Sequence, residues 1–338
     1  MFLKLKSLIL MKISMMKFIF FLNIIFLSAI GLSGCGGGGA NDNALPAVRF
    51  DSNNATETVR VVASVAFEMD EIGETGDFFD FTSSAEWSDP DAMATASRIA
   101  ISSLDGATVK SIQIQEETSQ CAESGSLTIS GSIAGADSFT VGDIIQIDAD
   151  RCDDGNATVD GQLQMTIANL EGDISTSNFL LGFNALFSDF SVTDDGGDTI
   201  LNGDLGMIMD TRTPLVTEVN ISGSNFSISG MGKTQSISNF SNLYTTNIGE
   251  SPVAWVHSSQ ATISSSELAG TLIYQMPVSF EGSADNYPHT GELLITGADN
   301  ATLRLITIDD DNVQIDADYD GDGVIDDTLY RTWIELIE

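Results

Sequence analysis

The sequence predicts a mainly β protein of the α+β class. It should be a long antiparallel meander of about a dozen strands, curled into an open or half barrel with two N-terminal helices packed on it. Three observations predict this. From Cys121 onward the apolar residues alternate with polar ones, as in Phe179, Leu181, Phe183, Ala185 and Phe187, whose side chains share one face of a strand. Acid-and-glycine clusters such as Asp153-Asp154-Gly155, Asp194-Asp195-Gly196 and Asp309-Asp310-Asp311-Asn312 punctuate the pattern like hairpin turns. A phrase of Gly, any residue, Leu, any residue and a large apolar recurs at Gly125, Gly161, Gly203, Gly270 and Gly291. Its uneven spacing argues against a solenoid or propeller and for a meander whose strands share a local grammar. A sheet this wide with one apolar face twists, curls and must have that face covered.

Taken in order, the chain opens on Lys4, Lys6, Lys12 and Lys17, followed by an apolar run over residues 18–30 and then Leu32-Ser33-Gly34-Cys35. The run is short for a bilayer span and fits the apolar core of a signal peptide. Leu at the third position before a Cys, with two small residues between, resembles the lipobox of bacterial lipoproteins. The resemblance implies that residues 1–34 are removed and that Cys35 becomes the first residue, carrying diacylglycerol and an N-acyl lipid. A plain transmembrane anchor is the competing reading, which leaves the small residues and the Gly36-Gly37-Gly38-Gly39 run unaccounted for. Met11, Met15 and Met16 are alternative starts. Gly36, rather than Asp, after the Cys implies sorting to the outer membrane if the host is Gram-negative.

Residues 35–46 read as the lipidated Cys and a Gly-rich tether with a reach of about 18 Å. Residues 47–117 read as a helical segment and 118–338 as the β domain, the two forming one folding unit. A first helix is expected from Asn54 to about Ile72, with Val59, Val62, Ala66 and Met69 on one face and Asn54 or Thr56 as cap. A second should start at Asp89-Pro90, bury Met93, Ala96, Ala100, Ile101 and Leu104, and stop at Asp105-Gly106.

Composition narrows the function classes. With 49 acidic against 13 basic residues, the 338-residue chain carries a formal charge of −36. Such a surface repels phosphate backbones, so nucleic acid is excluded as a natural partner. Solubility outside the cell and salty habitats both favour the same excess of acid. Acidic turns at both strand ends, without paired aromatic girdles, argue against an embedded outer-membrane barrel. The chain has 3 cysteines. With Cys35 lipidated, Cys121 and Cys152 remain, and in an exported compartment they are expected to form a disulfide.

Little in the chain suggests catalysis. There are 2 histidines, His257 in a strand-like stretch and His289 in a loop, neither with metal-ligand spacing. No Gly-x-Ser-x-Gly elbow occurs. The sharpest local motif runs from Asp318 through Asp320, Asp322 and Asp326 to Asp327, with glycines at Gly321 and Gly323. It resembles the start of an EF-hand calcium loop and the Asp-rich loops of bacterial surface repeats. The resemblance implies a Ca²⁺ site on these five carboxylates. It departs from the EF-hand pattern at the twelfth position, where Leu329 replaces the bidentate acid, and in its strand-like flanks.

The expected protein is therefore an outer-membrane lipoprotein held to the membrane by its lipid, with no enzymatic activity. Two roles stand open. One is binding of an apolar or lipid-like ligand between sheet and helices; the other is a calcium-stabilised structural or adhesive surface protein with a surface partner. For the anchor, Cys35→Ala should abolish lipidation and release the protein from the membrane fraction. A variant that fractionates with, and has the mass of, wild type would sink the lipobox reading.

Overall fold

The computed structural model describes residues 45–337 except 75–113, 133–139, 154, 156, 174–177, 195–196, 231 and 284–285. The leader, Cys35, the tether and the expected second helix over residues 89–105 lie outside the described residues. Leu45–Ile337 form one compact unit.

One helix and one sheet make up nearly all of it. Helix α1 spans Ala55–Glu74. Strands β1 (Ile114–Gln120), β2 (Ser124–Ser132), β3 (Ile144–Asp153), β4 (Thr158–Asp173), β5 (Asn178–Asp194), β6 (Gly197–Asp210) and β7 (Val216–Gly230) follow. Then come β8 (Lys233–Asn247), β9 (Ala254–Ser265), β10 (Gly270–Ser283), β11 (Thr290–Thr296), β12 (Thr302–Thr307), β13 (Asn312–Asp318) and β14 (Asp327–Thr332). A short helix α2, Trp333–Ile337, follows β14. The 14 strands form a single antiparallel sheet in which every strand neighbours the next in sequence. It is an uninterrupted meander with β1 and β14 as edges, and the ladder does not close into a barrel. β1 begins at Ile114, so regular pairing starts a few residues before the expected boundary of the β segment. Among the described residues, no helix is long and apolar enough to cross a membrane.

Asn54, one of the two expected caps, directly precedes α1, and its carbonyl accepts the Thr58 N–H. Asp51 Oδ1 accepts the N–H groups of Asn53 (2.8 Å) and Asn54 (3.1 Å), while Asn54 Oδ1 accepts the N–H of Asp51 at 3.0 Å. This reciprocal pair satisfies otherwise orphaned donors one turn before the helix proper. Thr56 instead accepts Arg331 Nη2 at 3.1 Å. The expected face is the buried one: Ala55, Val59, Val62, Ala63 and Ala66 are fully inaccessible, and Val61 and Val65 are buried beside them. A helix apolar on most sides belongs in an interior. It lies against β7, β8, β9, β11 and β12 and touches α2.

The recurrent glycine phrase now has a structural meaning. Leu127, Leu163, Leu205, Leu272 and Leu293 are all buried, and in most of these strands the glycine before them marks a bulge. At Gly203 the backbone takes φ +106° and an added Cβ would lie 1.9 Å from the carbonyl oxygen of Asn225. Only glycine fits there. Bulges at Gly125 opposite Arg151, at Gly161 opposite Asp189 and at Gly203 opposite Asn225 fall on every other strand pair, β2–β3, β4–β5 and β6–β7, and form a line across the sheet. Side chains of neighbouring strands collect the amides that the bulges free. Arg151 N donates to Asp160 Oδ1 (3.3 Å), Asp189 N to Asn202 Oδ1 (2.7 Å), and Ser224 N and Asn225 N to Asp204 (2.7 and 3.0 Å).

Three devices tie the unit together. Cys121 and Cys152 form a disulfide, Cα–Cα 5.4 Å, pinning the end of β1 to the bulged part of β3. Trp333, fully buried, donates Nε1–H to the carbonyl of Pro288 at 3.1 Å and stacks on Tyr287. Phe67 of α1 meets Phe280, Trp333 and His257 with ring centroids 5.2–5.9 Å apart.

His257 is fully buried, and neither ring nitrogen has a hydrogen-bond partner. Burial therefore pushes its pKa down to about 3, keeping it neutral in the fold.

Two predictions follow from these contacts. Closing a separation of 31 residues stabilises by about 3–4 kcal/mol, so replacing Cys121 and Cys152 by Ala should lower the melting temperature by several degrees. Two freely alkylating thiols in the native protein would contradict the bridge. For His257 the unfolded side chain takes up its proton near pH 6.5 while the folded one does so only near 3. The stability it contributes is complete above the unfolded value and is lost as pH falls from about 6.5 toward 3. Between pH 7.5 and 5 the wild type should lose about 2 kcal/mol more than His257→Leu. Equal pH slopes for the two proteins would refute the buried, neutral histidine.

Candidate metal centre

The loop joining β13 to β14 is built around Asp318, the last residue of β13. Its ladder partner on the inner side is Thr302 of β12, and it is 4% exposed. Both carboxylate oxygens accept loop amides: Gly321 N–H to Oδ1 at 2.7 Å and Gly323 N–H to Oδ2 at 2.8 Å. The loop thus folds back over its own first acid. Asp320 Oδ1 accepts Asp322 N–H at 3.2 Å, and Asp322 Oδ1 accepts Val324 N–H at 2.7 Å. Asp326 Oδ2 accepts Tyr319 N–H at 2.8 Å, while its own N–H returns to the carbonyl of Ala317 at 2.8 Å. Each acid at an alternate position holds the backbone a few residues on, which is why aspartate, with its short side chain, suits the spacing.

Asp318, Asp320 and Asp326 each bring one carboxylate oxygen within 4.8 Å of the others. Such a group could hold a metal ion. Asp322 and Asp327, the other two acids of the motif, are not in this group; Asp327 Oδ1 accepts Thr328 N–H at 2.9 Å. Among the described residues, none of the three clustered acids belongs to an ion pair. Hard oxygen donors in an irregular arrangement suit a divalent cation that accepts variable geometry.

Two contributors to this corner carry no local sequence signal. At Gly321 (φ +75°) an added Cβ would lie 2.3 Å from the carbonyl oxygen of Asp299, so the loop rests on the turn over residues 298–300. Asp51, from the cap of α1, also reaches this region. Burial first, and then the charges of Asp327, Asp51 and Asp326, push the phenol of Tyr319 upward. Both residues are distant in the chain, and neither sits in a motif.

The other residues expected to matter fall as follows. Cys121 and Cys152 are the disulfide, and Cys35 lies outside the described residues. His257 is buried beside Phe67 and Tyr244, whereas His289 is exposed with its backbone N–H bonded to Glu281, so the two do not meet in one site. Comparison of the chain with protein-family models, with curated proteins and with solved structures finds no match.

Proposed function

We propose that the chain is an outer-membrane lipoprotein, lipidated at Cys35, whose exported domain is a calcium-stabilised structural or adhesive module without catalytic activity. In this reading the sheet is strongly curved and wraps around α1 as an open half barrel. The contact of α1 with β7–β9 on one side and β11–β12 on the other supports that curvature, as does the line of bulges, since bulges bend the strands they interrupt. The tether would keep the domain close to the membrane, where millimolar extracellular calcium is available.

The observation that carries the calcium reading is the pre-set loop around Asp318, which gathers three carboxylates that, among the described residues, have no basic partner. The rival role, carriage of an apolar ligand, needs a roomy apolar chamber between helix and sheet. Val59, Val62, Ala63, Ala66 and Phe280 occupy that space, and all are fully buried. The filled core favours the structural module.

With Leu329 standing where the bidentate acid would be, the affinity should be weak, on the order of 10⁻⁴–10⁻³ M. Calcium at ten times its dissociation constant should then add about 1.4 kcal/mol, a rise of a few degrees in melting temperature. Replacing Asp320 and Asp326 by Asn should remove the increment. Asp318 is left intact in this variant, because its carboxylate holds the loop. If the variant gains as much from calcium as wild type does, the ion is only screening the net charge of −36 and the site does not exist.

A further inference from the structure

Strands β9 and β10 pair only at their two ends. Gly270–Leu272 face Ser265–Ile263, and pairing resumes where Phe280 meets His257. Between them, residues 258–262 of β9 and 273–279 of β10 are not in register with each other, the β10 stretch being the longer. Pro277 lies in the β10 stretch and has no N–H to give to a ladder. On its other side β10 is bulged as well, with a register shift between Gln275 and Val278 against β11. The pairing of β9 with β10 therefore shifts register by two residues between two well-paired ends, and the ladder is irregular there.

A half-open cavity of about 320 Å³ lies at this irregular stretch, and its mouth is the opening at β9 and β10. That is the lower end of the range for small-molecule sites. Its lining contains no charged side chain. Three amides, Asn220, Gln260 and Gln275, and the hydroxyls of Ser241 and Ser258 border it. These five side chains form no hydrogen bond to any other described residue, so their donors and acceptors are available. They come from four adjacent strands, and the pairing brings them to one face: Asn220 is opposite Leu243, Leu243 opposite Ser258, and Ser241 opposite Gln260. Leu243, Met276 and Pro277 add apolar surface. Toward the core the lining ends at Ser259, whose hydroxyl is already engaged with Tyr274 Oη at 2.8 Å.

We infer that the opening between β9 and β10 is a binding site for a neutral saccharide. Charge selects the class. Anions are repelled by a chain of net charge −36, and a cation would be held by carboxylates, of which this lining has none. An uncharged ligand rich in hydroxyls remains. Primary amides offer both a donor pair and an acceptor, so each can bridge neighbouring hydroxyls of a sugar ring. The C–H faces of such a ring suit Leu243 and Pro277. The inference does not rest on the calcium reading, since the Asp320/Asp326 variant should bind sugar as wild type does.

The test uses the purified full chain with four probes: glucose, galactose, mannose and N-acetylglucosamine. Binding is followed by saturation-transfer NMR and calorimetry. At least one probe should bind with a dissociation constant on the order of millimolar, as expected for a small ligand with few contacts. Gln260→Ala combined with Gln275→Ala should weaken it by about tenfold or more. Both side chains are exposed, so the fold should be unaffected, and Ser258→Phe, which blocks the opening from β9, gives an independent loss. Glucuronate, the same ring with a carboxylate, should bind at least tenfold more weakly than glucose if glucose is the bound probe. Binding by none of the four probes would overturn the inference, as would wild-type affinity in both variants or equal binding of glucuronate and glucose.

Discussion

Everything in this molecule depends on covering one apolar face of a very wide sheet. A meander of 14 strands has no crossover helices of its own to do this, so the cover must come from elsewhere in the chain. Over β7–β9, β11 and β12 helix α1 supplies it, and its composition shows how. Ala55, Ala63 and Ala66 keep the helix slim, which lets its backbone approach the strands. Asn242 of β8 reaches far enough to donate its Nδ2–H to the carbonyl of Ala66 at 3.2 Å. Val59, Val62 and Val65 then fill the layer between, each fully buried valine stabilising by about 1.5–3 kcal/mol relative to exposure. The β-branched valines are poor helix formers in isolation, so α1 is a helix because of its packing more than its propensity.

A line of bulges crosses the strands of this sheet. Each bulge adds a residue to one strand and sharpens its twist, but leaves an amide without its ladder partner. Asp160, Asn202 and Asp204 supply the missing acceptors. At Asp204, burial raises the carboxyl pKa, yet the hydrogen bonds from Ser224 and Asn225 outweigh it and hold the group below its ordinary value. Its contribution to stability is therefore complete above the ordinary carboxylate range and lost as pH falls through the lowered value. Many of the acids that make this chain so negative work as local braces of turns and bulges.

Much of the fold was legible because strand periodicity is a local property. The alternation after Cys121 yields strands, and the Asp-Gly clusters yield their turns. The β-branched run in 54–72 still showed the three-and-four spacing of α1. The repeated Gly-x-Leu phrase was visible too, but its meaning was not, because a bulge is defined by the register of a neighbouring strand. Asn54 was legible as the start of α1, but its reciprocal bonds with Asp51 were not, because neither residue alone marks the pairing. Of the metal centre, the motif from Asp318 to Asp327 was legible, and so was the disulfide of Cys121 and Cys152. The support from Asp299 and Asp51 was not, since it depends on tertiary contacts. Nor was the neutral cavity. Pro277 inside an otherwise regular strand was its one local sign, and a proline reveals where a ladder is interrupted without showing what lines the gap.

Electrostatics explains why these two places stand apart from the rest of the surface. Over most of the fold an acid has a partner. Asp210 is held below its ordinary range by the guanidinium of Arg212, and Asp309 by the side chain of Asn312 and nearby amides. Glu292 pairs with Arg304 across β11 and β12 at 2.6 Å. The β13–β14 loop is different, because three carboxylates converge there with backbone amides but no basic side chain among their described partners. Backbone donors offset part of the repulsion, and a divalent cation would offset the remainder far more effectively than water, since it acts on all three charges at once. The opening between β9 and β10 is the converse case. On so acidic a protein the long-range field still repels anions, while a lining of amides and hydroxyls offers no local charge to hold a cation. What remains is selection by the number and placement of hydrogen-bonding groups, which is the basis on which one neutral sugar is told from another.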